Sequence, residues 1–114
     1  MIQIVLKITA HPARAKDLVQ ALRSLTLPAQ AEEGYIGYAL CRMVKDDRDF
    51  LYVEEWRSIE DVERQIRSGR FSRLLEVMET SVEPPSLEFN VVSETRGLEF
   101  VEAVRLARSG ERPT

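Results

Sequence analysis

The chain has 114 residues, 44% hydrophobic and 31% charged, which is typical of one globular domain and too short for two. The net charge of −3 argues against a nucleic-acid partner or a membrane-surface role, because both need clustered positive charge. The single cysteine, Cys41, excludes an internal disulfide. Together with an N-terminal stretch that lacks the features of a signal peptide, it predicts a cytoplasmic protein.

The first predicted strand runs from Ile2 to Thr9, because its apolar residues alternate along the chain. Pro12 suits the first position of a helix, where its missing N–H costs no hydrogen bond. Leu18 and Leu22 then share one face of that helix at the i, i+4 spacing, and we expect Pro28 to end it.

The second predicted strand runs from Tyr35 to Val44, and the third from Phe50 to Trp56. A polar connection at residues 46–49 has the composition of a turn. On the second strand, one face is predicted to carry Ile36, Tyr38 and Leu40. On the third, one face is predicted to carry Phe50, Tyr52, Glu54 and Trp56. Cys41 is expected to be a small core residue.

Ser58 fits the N-cap of a helix that is interrupted at Gly69 and followed by a second short helix. A fourth strand is predicted from Leu87 to Val92, before an amphipathic C-terminal helical extension at residues 97–108. The order β-α-β-β-α-β is the split βαβ, ferredoxin-like α+β arrangement. Residues 1–114 are therefore predicted to form a single domain with a core at residues 2–95.

A four-stranded sheet with helices on one face leaves its other face uncovered, and several strands are apolar on both sides. The aromatic residues Tyr38, Tyr52 and Trp56 also need cover. We therefore expect two copies to stack their open sheet faces as a homodimer.

Four segments carry a resemblance to a known family: residues 4–7 (IVLK), 32–38 (EEGYIGY), 51–58 (LYVEEWRS) and 71–75 (FSRLL). With these segments the chain resembles the antibiotic biosynthesis monooxygenase family of dimeric α+β barrels, over roughly residues 2–95. The resemblance implies a dimer with an apolar cavity in each subunit. It also implies a monooxygenase that oxidises a small quinol or phenolic, polyketide-like substrate, with O₂ as co-substrate and no cofactor.

In that chemistry the deprotonated substrate itself reduces O₂, so the protein supplies a base, polar groups for the anion and a dry pocket. The chain departs from many relatives at Gln65, where they carry a histidine nine positions after the tryptophan. With one histidine, His11, and one cysteine, the sequence offers no metal-ligand set, and no metal, flavin or haem is expected.

The shared face of the third strand supplies the candidate catalytic residues. They are Trp56, Glu54 and Tyr52, with Tyr38, Asn90 and Gln65 as candidate substrate-binding residues.

Structural interpretations stay open beside these roles. Trp56 and the tyrosines equally fit packing anchors, and Glu54 fits an ion pair with an arginine. His11 fits a cap or surface position, and Asn90 fits edge hydrogen bonding. Arg67, Arg70 and Arg73 follow helical spacing and are predicted to lie on a solvent-exposed helix face. The alternative function is a non-catalytic, dimeric small-ligand-binding or accessory protein of the same fold.

Overall fold

In a computed structural model, strands with alternating apolar residues form one sheet, and helices with one apolar face cover it. The structure describes residues 1–107. The strands are β1 (Ile2–Thr9), β2 (Tyr35–Arg42), β3 (Asp49–Trp56) and β4 (Ser86–Val91). The helices are α1 (Ala15–Gln30), α2 (Ile59–Ile66), α3 (Gly69–Met78) and α4 (Leu98–Leu106), and a 3₁₀ turn at Pro12–Arg14 precedes α1. The predicted ferredoxin-like α+β order is confirmed. The predicted extension at residues 97–108 coincides with α4, and its last residue lies outside the described range.

All neighbouring strands pair antiparallel, in the order β2-β3-β1-β4. Period-two alternation along β1 buries one face completely, and the register sets this face beside the buried face of β3. Three helices cover these residues with Leu22 of α1, Val62 of α2 and Leu74 of α3, each at most 1% exposed. The core therefore lies between the sheet and α1–α3, and the opposite sheet face is left open.

The prediction that Pro28 ends α1 is wrong, because the helix continues to Gln30 with Pro28 inside its last turn. A proline in the last turn removes a single N–H and leaves the earlier turns intact. Ala29, which follows it, is fully buried in the core and keeps the last turn packed.

A β-bulge between Tyr35 and Gly37 alters the predicted faces of β2. Tyr35 lies opposite Trp56, and Ile36 leaves the predicted face and is 51% exposed. The strand also ends at Arg42 rather than Val44.

The prediction that Cys41 belongs to the core is wrong, because its side chain is exposed. Cys41 lies opposite Leu51, which alternates with the buried residues of β3, so both occupy the open face of the sheet.

Two of the aromatic residues that seemed to need a partner copy are already covered within one chain. Tyr52 is 1% exposed and Trp56 is fully buried, both on the helix-covered face. The open face instead carries Val5, Leu51 and Val53, all half-buried. These three residues, rather than the aromatics, are the apolar surface that a second copy would cover.

Gly34 should be intolerant of substitution, because it has a φ of 84° and its missing side chain faces the carboxylate of Asp61. A Cβ here would clash with that carboxylate, in a conformation that costs other residues roughly 1–2 kcal/mol. We expect Gly34→Ala to lower the free energy of unfolding by about 2 kcal/mol or more in urea titrations. Gly69→Ala is the matched control, since nothing lies within 4 Å of its Cβ position and its φ is not positive. Equal urea midpoints for the two variants would contradict this interpretation.

Candidate functional site

A buried carboxylate lies at the centre of the helix-covered face. The alternation of β3 places Glu54 between Tyr52 and Trp56 on one side of the strand, and Glu54 is 1% exposed. The Tyr52 hydroxyl donates to its Oε2 at 2.5 Å, and the Trp56 indole Nε1 donates to its Oε1 at 3.0 Å. The two strand neighbours thus hold one carboxylate oxygen each.

Arg70, near the start of α3, completes the cluster with a bidentate ion pair. Its Nη1 donates to Glu54 Oε2 at 2.8 Å and its Nη2 to Oε1 at 2.6 Å. Nη1 also donates to the backbone oxygen of Leu25 at 3.2 Å, and Nε donates to Oε1 of Gln65 at 3.4 Å. The alternative interpretation of Glu54, an ion pair with an arginine, is confirmed.

The predicted solvated arginine face is therefore wrong at Arg70, whose side chain is 8% exposed, whereas Arg67 and Arg73 are exposed. Ser68 caps a new helix at Gly69, so the helical spacing does not continue across this break. The available signal was Glu54 itself, because a carboxylate on a core-facing position of a strand requires a cation.

The buried polar groups around Glu54 all have hydrogen-bond partners. Four donated hydrogen bonds occupy both oxygens of Glu54, which leaves little capacity to accept a substrate proton. Burial, followed by the charge of Glu54, raises the pKa of Tyr52 well above its usual value near 10, so this phenol stays protonated. The arrangement therefore fixes side chains firmly, and the catalytic roles of Tyr52, Glu54 and Trp56 stay a prediction.

The candidate substrate-binding residues lie in three different environments. Gln65 is 1% exposed and belongs to the buried network through Arg70. Tyr38 is 40% exposed, and its ring centroid lies 6.3 Å from that of Tyr52. Asn90 is exposed on the edge strand β4, opposite Gln3, and thus on the open face of the sheet. Tyr38 therefore lies beside the network at Tyr52, and Gln65 joins it at Arg70. Asn90 lies on the other face of the sheet, away from the network.

His11 acts as a cap, as its structural interpretation predicts. Its Nδ1 accepts a hydrogen bond from the backbone N–H of Ala13 at 3.2 Å and thereby closes the 3₁₀ turn ahead of α1.

An open groove runs between α1 and β2, beside the aromatic end of the network, and we call it the α1–β2 groove. Its volume is ≈ 470 Å³, and its walls are formed by Val19, Arg23, Tyr38, Leu40, Arg42 and Phe50. The Arg42 guanidinium carbon lies 5.1 Å from the centroid of the Phe50 ring, a cation–π contact. This open groove has both polar and apolar walls, and its two arginines beside the ring of Tyr38 offer positive charge and an aromatic surface to a planar anion.

The two arginines of this groove are not among the residues that the sequence predicts for the site. Arg42 shares the alternation of Tyr38 and Leu40, so its face was predictable. Arg23 lies off the apolar stripe of α1, where it reads as a solvent-exposed charge. The pairing of α1 with β2 is a tertiary contact and has no local signature.

The raised pKa of Tyr52 predicts how stability depends on alkaline pH. The unfolded chain releases this proton near pH 10 and the folded chain retains it, so the stability it contributes is present below pH 10 and is lost as the pH rises further. We expect Tyr52→Phe to lose about 1.5–3 kcal/mol at pH 8, because a hydrogen bond to a carboxylate disappears. Between pH 9 and 11, the variant should lose less stability than the parent in paired urea titrations. Identical pH slopes for the two proteins would contradict the assignment.

Within residues 1–107, no helix has the length and apolarity needed to cross a membrane. The same residues contain no group of three or more histidine, cysteine, aspartate or glutamate side chains placed to hold a metal ion.

Comparisons with known proteins agree on the fold. Residues 1–77 match the family model described as "Antibiotic biosynthesis monooxygenase". A putative antibiotic biosynthesis monooxygenase from Deinococcus radiodurans superimposes with a TM-score of 0.76 at 14% identity, over 85% of this chain and 97% of that one. A Pseudomonas aeruginosa protein reaches a TM-score of 0.67 at 27% identity, over 82% and 94% of the two chains.

A Mycobacterium tuberculosis protein gives a TM-score of 0.72 at 16% identity, over 84% of this chain and 98% of that one. No protein of curated function matches the sequence.

Proposed function

Since the chain belongs to the antibiotic biosynthesis monooxygenase family, we propose that it is a cofactor-independent monooxygenase that oxidises a small quinol or phenolic, polyketide-like substrate with O₂. The proposal places the substrate in the α1–β2 groove. The observation that carries it is the pair of arginines, Arg23 and Arg42, that line one groove together with Tyr38 and Leu40.

The groove matches the needs of this chemistry in charge and in shape. An aromatic hydroxyl becomes a strong reductant once it is deprotonated, and nearby positive charge favours its anion. Arg23 and Arg42 supply that charge, and the exposed ring of Tyr38 and the side chain of Leu40 supply the apolar part of the wall. The substrate gives up two hydrogens to O₂, one oxygen atom enters the substrate as a carbonyl, and the other leaves as water.

The buried network then acts behind the groove. Glu54 fixes the Tyr52 hydroxyl, and the Tyr52 ring packs beside Tyr38, which faces the substrate. In this proposal Trp56, Glu54 and Gln65 are positioning residues rather than proton carriers. Asn90 lies on the other face of the sheet and has no role in the groove.

We further propose that the protein works as a homodimer paired through the open sheet face. Val5, Leu51 and Val53 give this face an apolar centre, and Gly37 and Ala39 allow close approach. Light scattering at micromolar concentration should give about twice the chain mass of 13.1 kDa. A single species at the monomer mass would contradict the proposal, and Val53→Lys should shift the parent dimer toward monomer.

The direct test of activity is O₂ consumption by metal-free protein with a panel of naphthoquinols, anthrones and substituted phenols. We expect at least one compound to be consumed with equimolar O₂, giving a carbonyl product that carries ¹⁸O from ¹⁸O₂. Activity that requires added flavin, or that chelators abolish, would contradict the cofactor-independent mechanism.

One observation favours the second candidate, a non-catalytic small-ligand-binding protein. Among the residues that line the groove, none is a carboxylate or an imidazole, so no side chain there is an ordinary base at neutral pH. The acidity of the quinols in the panel distinguishes the two candidate functions. An oxygenase should turn over the most acidic quinols fastest, because these ionise without a protein base, whereas a binding protein should bind the panel without consuming O₂.

A further inference from the structure

A second cavity, of ≈ 260 Å³, lies against α1 on the opposite side from the α1–β2 groove. We call it the α1–α3 cavity, because α1 and α3 form its walls. Arg14, Asp17 and Ala21 line this cavity, whereas Val19 and Arg23 line the groove. At 3.6 residues per turn these two sets point to opposite sides of the helix, so the two sites are separate.

The inner surface of the α1–α3 cavity is apolar and is formed by buried or half-buried side chains. Leu18 is 6% exposed and Ala10 is 4% exposed, and the half-buried Ala21 and Val77 complete the wall. The Thr80 hydroxyl donates to the Val77 backbone oxygen at 2.7 Å, so its proton is already used. A ligand here would place an apolar group against the wall and its polar groups toward the rim.

The rim carries one positive and one negative side chain three positions apart, Arg14 and Asp17. The ion pairs formed within residues 1–107 include neither of them. Both charges are therefore available to a ligand, and a ligand that carries both signs can pair with the two at once. His11 stands beside them with Nδ1 occupied by the cap, which leaves Nε2 for a further hydrogen bond.

We propose that the α1–α3 cavity binds a small zwitterion with an apolar side chain, namely an α-amino acid of about the size of leucine. Its carboxylate would pair with Arg14 and its ammonium group with Asp17, and the side chain would lie on Leu18, Ala21 and Val77. The volume supports a ligand of this size, because it falls just below the roughly 300–1,000 Å³ of cavities for larger organic ligands. This inference is independent of the proposed oxygenase activity.

L-Leucine is the probe for the test, and His11 is the reporter, because the chain contains only one histidine and its ring signals are unambiguous in NMR spectra. Titration of leucine should shift the His11 ring signals and the backbone amides of Val77 and Thr80 in a saturable manner. N-acetyl-leucine lacks the ammonium group, and leucinamide lacks the carboxylate. Each should bind at least tenfold more weakly.

Matched variants separate the cavity from general surface charge. Arg14→Gln and Asp17→Asn should each weaken leucine binding at least tenfold, and Ala21→Leu should abolish it by filling the wall. Lys16→Gln removes an exposed charge from the far side of α1 and should leave binding unchanged. Absence of saturable shifts with leucine would overturn the proposal. Isovalerate or leucinamide binding as tightly as leucine would overturn it as well, because a zwitterion would then not be required.

Discussion

Replacing Glu54 by glutamine should lower the free energy of unfolding by about 3–5 kcal/mol, because it leaves the buried Arg70 guanidinium without a counter-charge. The substitution preserves the shape of the side chain. The amide group, however, places donor hydrogens where Arg70 and Tyr52 or Trp56 also donate. Unfolding in urea, followed by the fluorescence of Trp56, measures the loss directly.

Two further variants test whether the unpaired charge is the cause. The double variant Glu54→Gln/Arg70→Gln should be more stable than Glu54→Gln alone. It buries no isolated charge, so part of the lost free energy of unfolding should be recovered. Arg48→Gln breaks the exposed pair with Asp46, in which the Arg48 side chain is 46% exposed, and should leave the midpoint close to that of the parent. Additive losses in the double variant would show that the ion pair is not the origin of the effect.

Removing both guanidinium groups of the α1–β2 groove should lower kcat/KM about a hundredfold on the best quinol of the panel. Each of Arg23→Gln and Arg42→Gln should account for about tenfold, which corresponds to roughly 1.4 kcal/mol of lost stabilisation of the anionic transition state. Initial rates of O₂ uptake across a range of substrate concentrations give the values. The two losses should multiply if each arginine stabilises the transition state independently of the other.

Arg73→Gln is the matched control, since it removes an exposed guanidinium on α3 that does not line the groove. It should retain the parent rate, and Arg42→Lys should recover part of the loss because it restores the charge without the planar fork. If the double variant stays within twofold of the parent, the substrate does not bind in this groove.

The sequence predicted the parts of the site that lie on one element. Strict alternation over residues 50–56 was enough to place Tyr52, Glu54 and Trp56 together, and the structure has them within hydrogen-bonding distance. It also predicted the order of strands and helices, because each carries its own apolar period, and the cap at Ser58 marks the start of α2.

Contacts between residues on different strands and helices could not be predicted from the sequence in the same way. Arg70 reaches Glu54 across 16 positions of sequence, and a new helix begins between them. Arg23 and Arg42 line the same groove only because α1 packs against β2. Asn90 was grouped with the site for its amide chemistry, but its face depends on the pairing of β4 with β1, which directs it to the other side.

The bulge at Ile36 can absorb a change of length without changing which side chains lie on each face of the sheet. Trp56 and Glu55 are adjacent on β3, whereas their partners Tyr35 and Gly37 are two positions apart on β2, so Ile36 is the extra residue. Loss of Ile36 alone would leave Tyr35 opposite Trp56 and Tyr38 opposite Glu54 in a regular ladder. A residue lost within the regularly paired part of β2, at residues 38–42, would instead move the side chains on one side of that point to the opposite face. Changes of length should therefore be tolerated at the bulge and at residues 43–48, in the connection between β2 and β3, and selected against at residues 38–42.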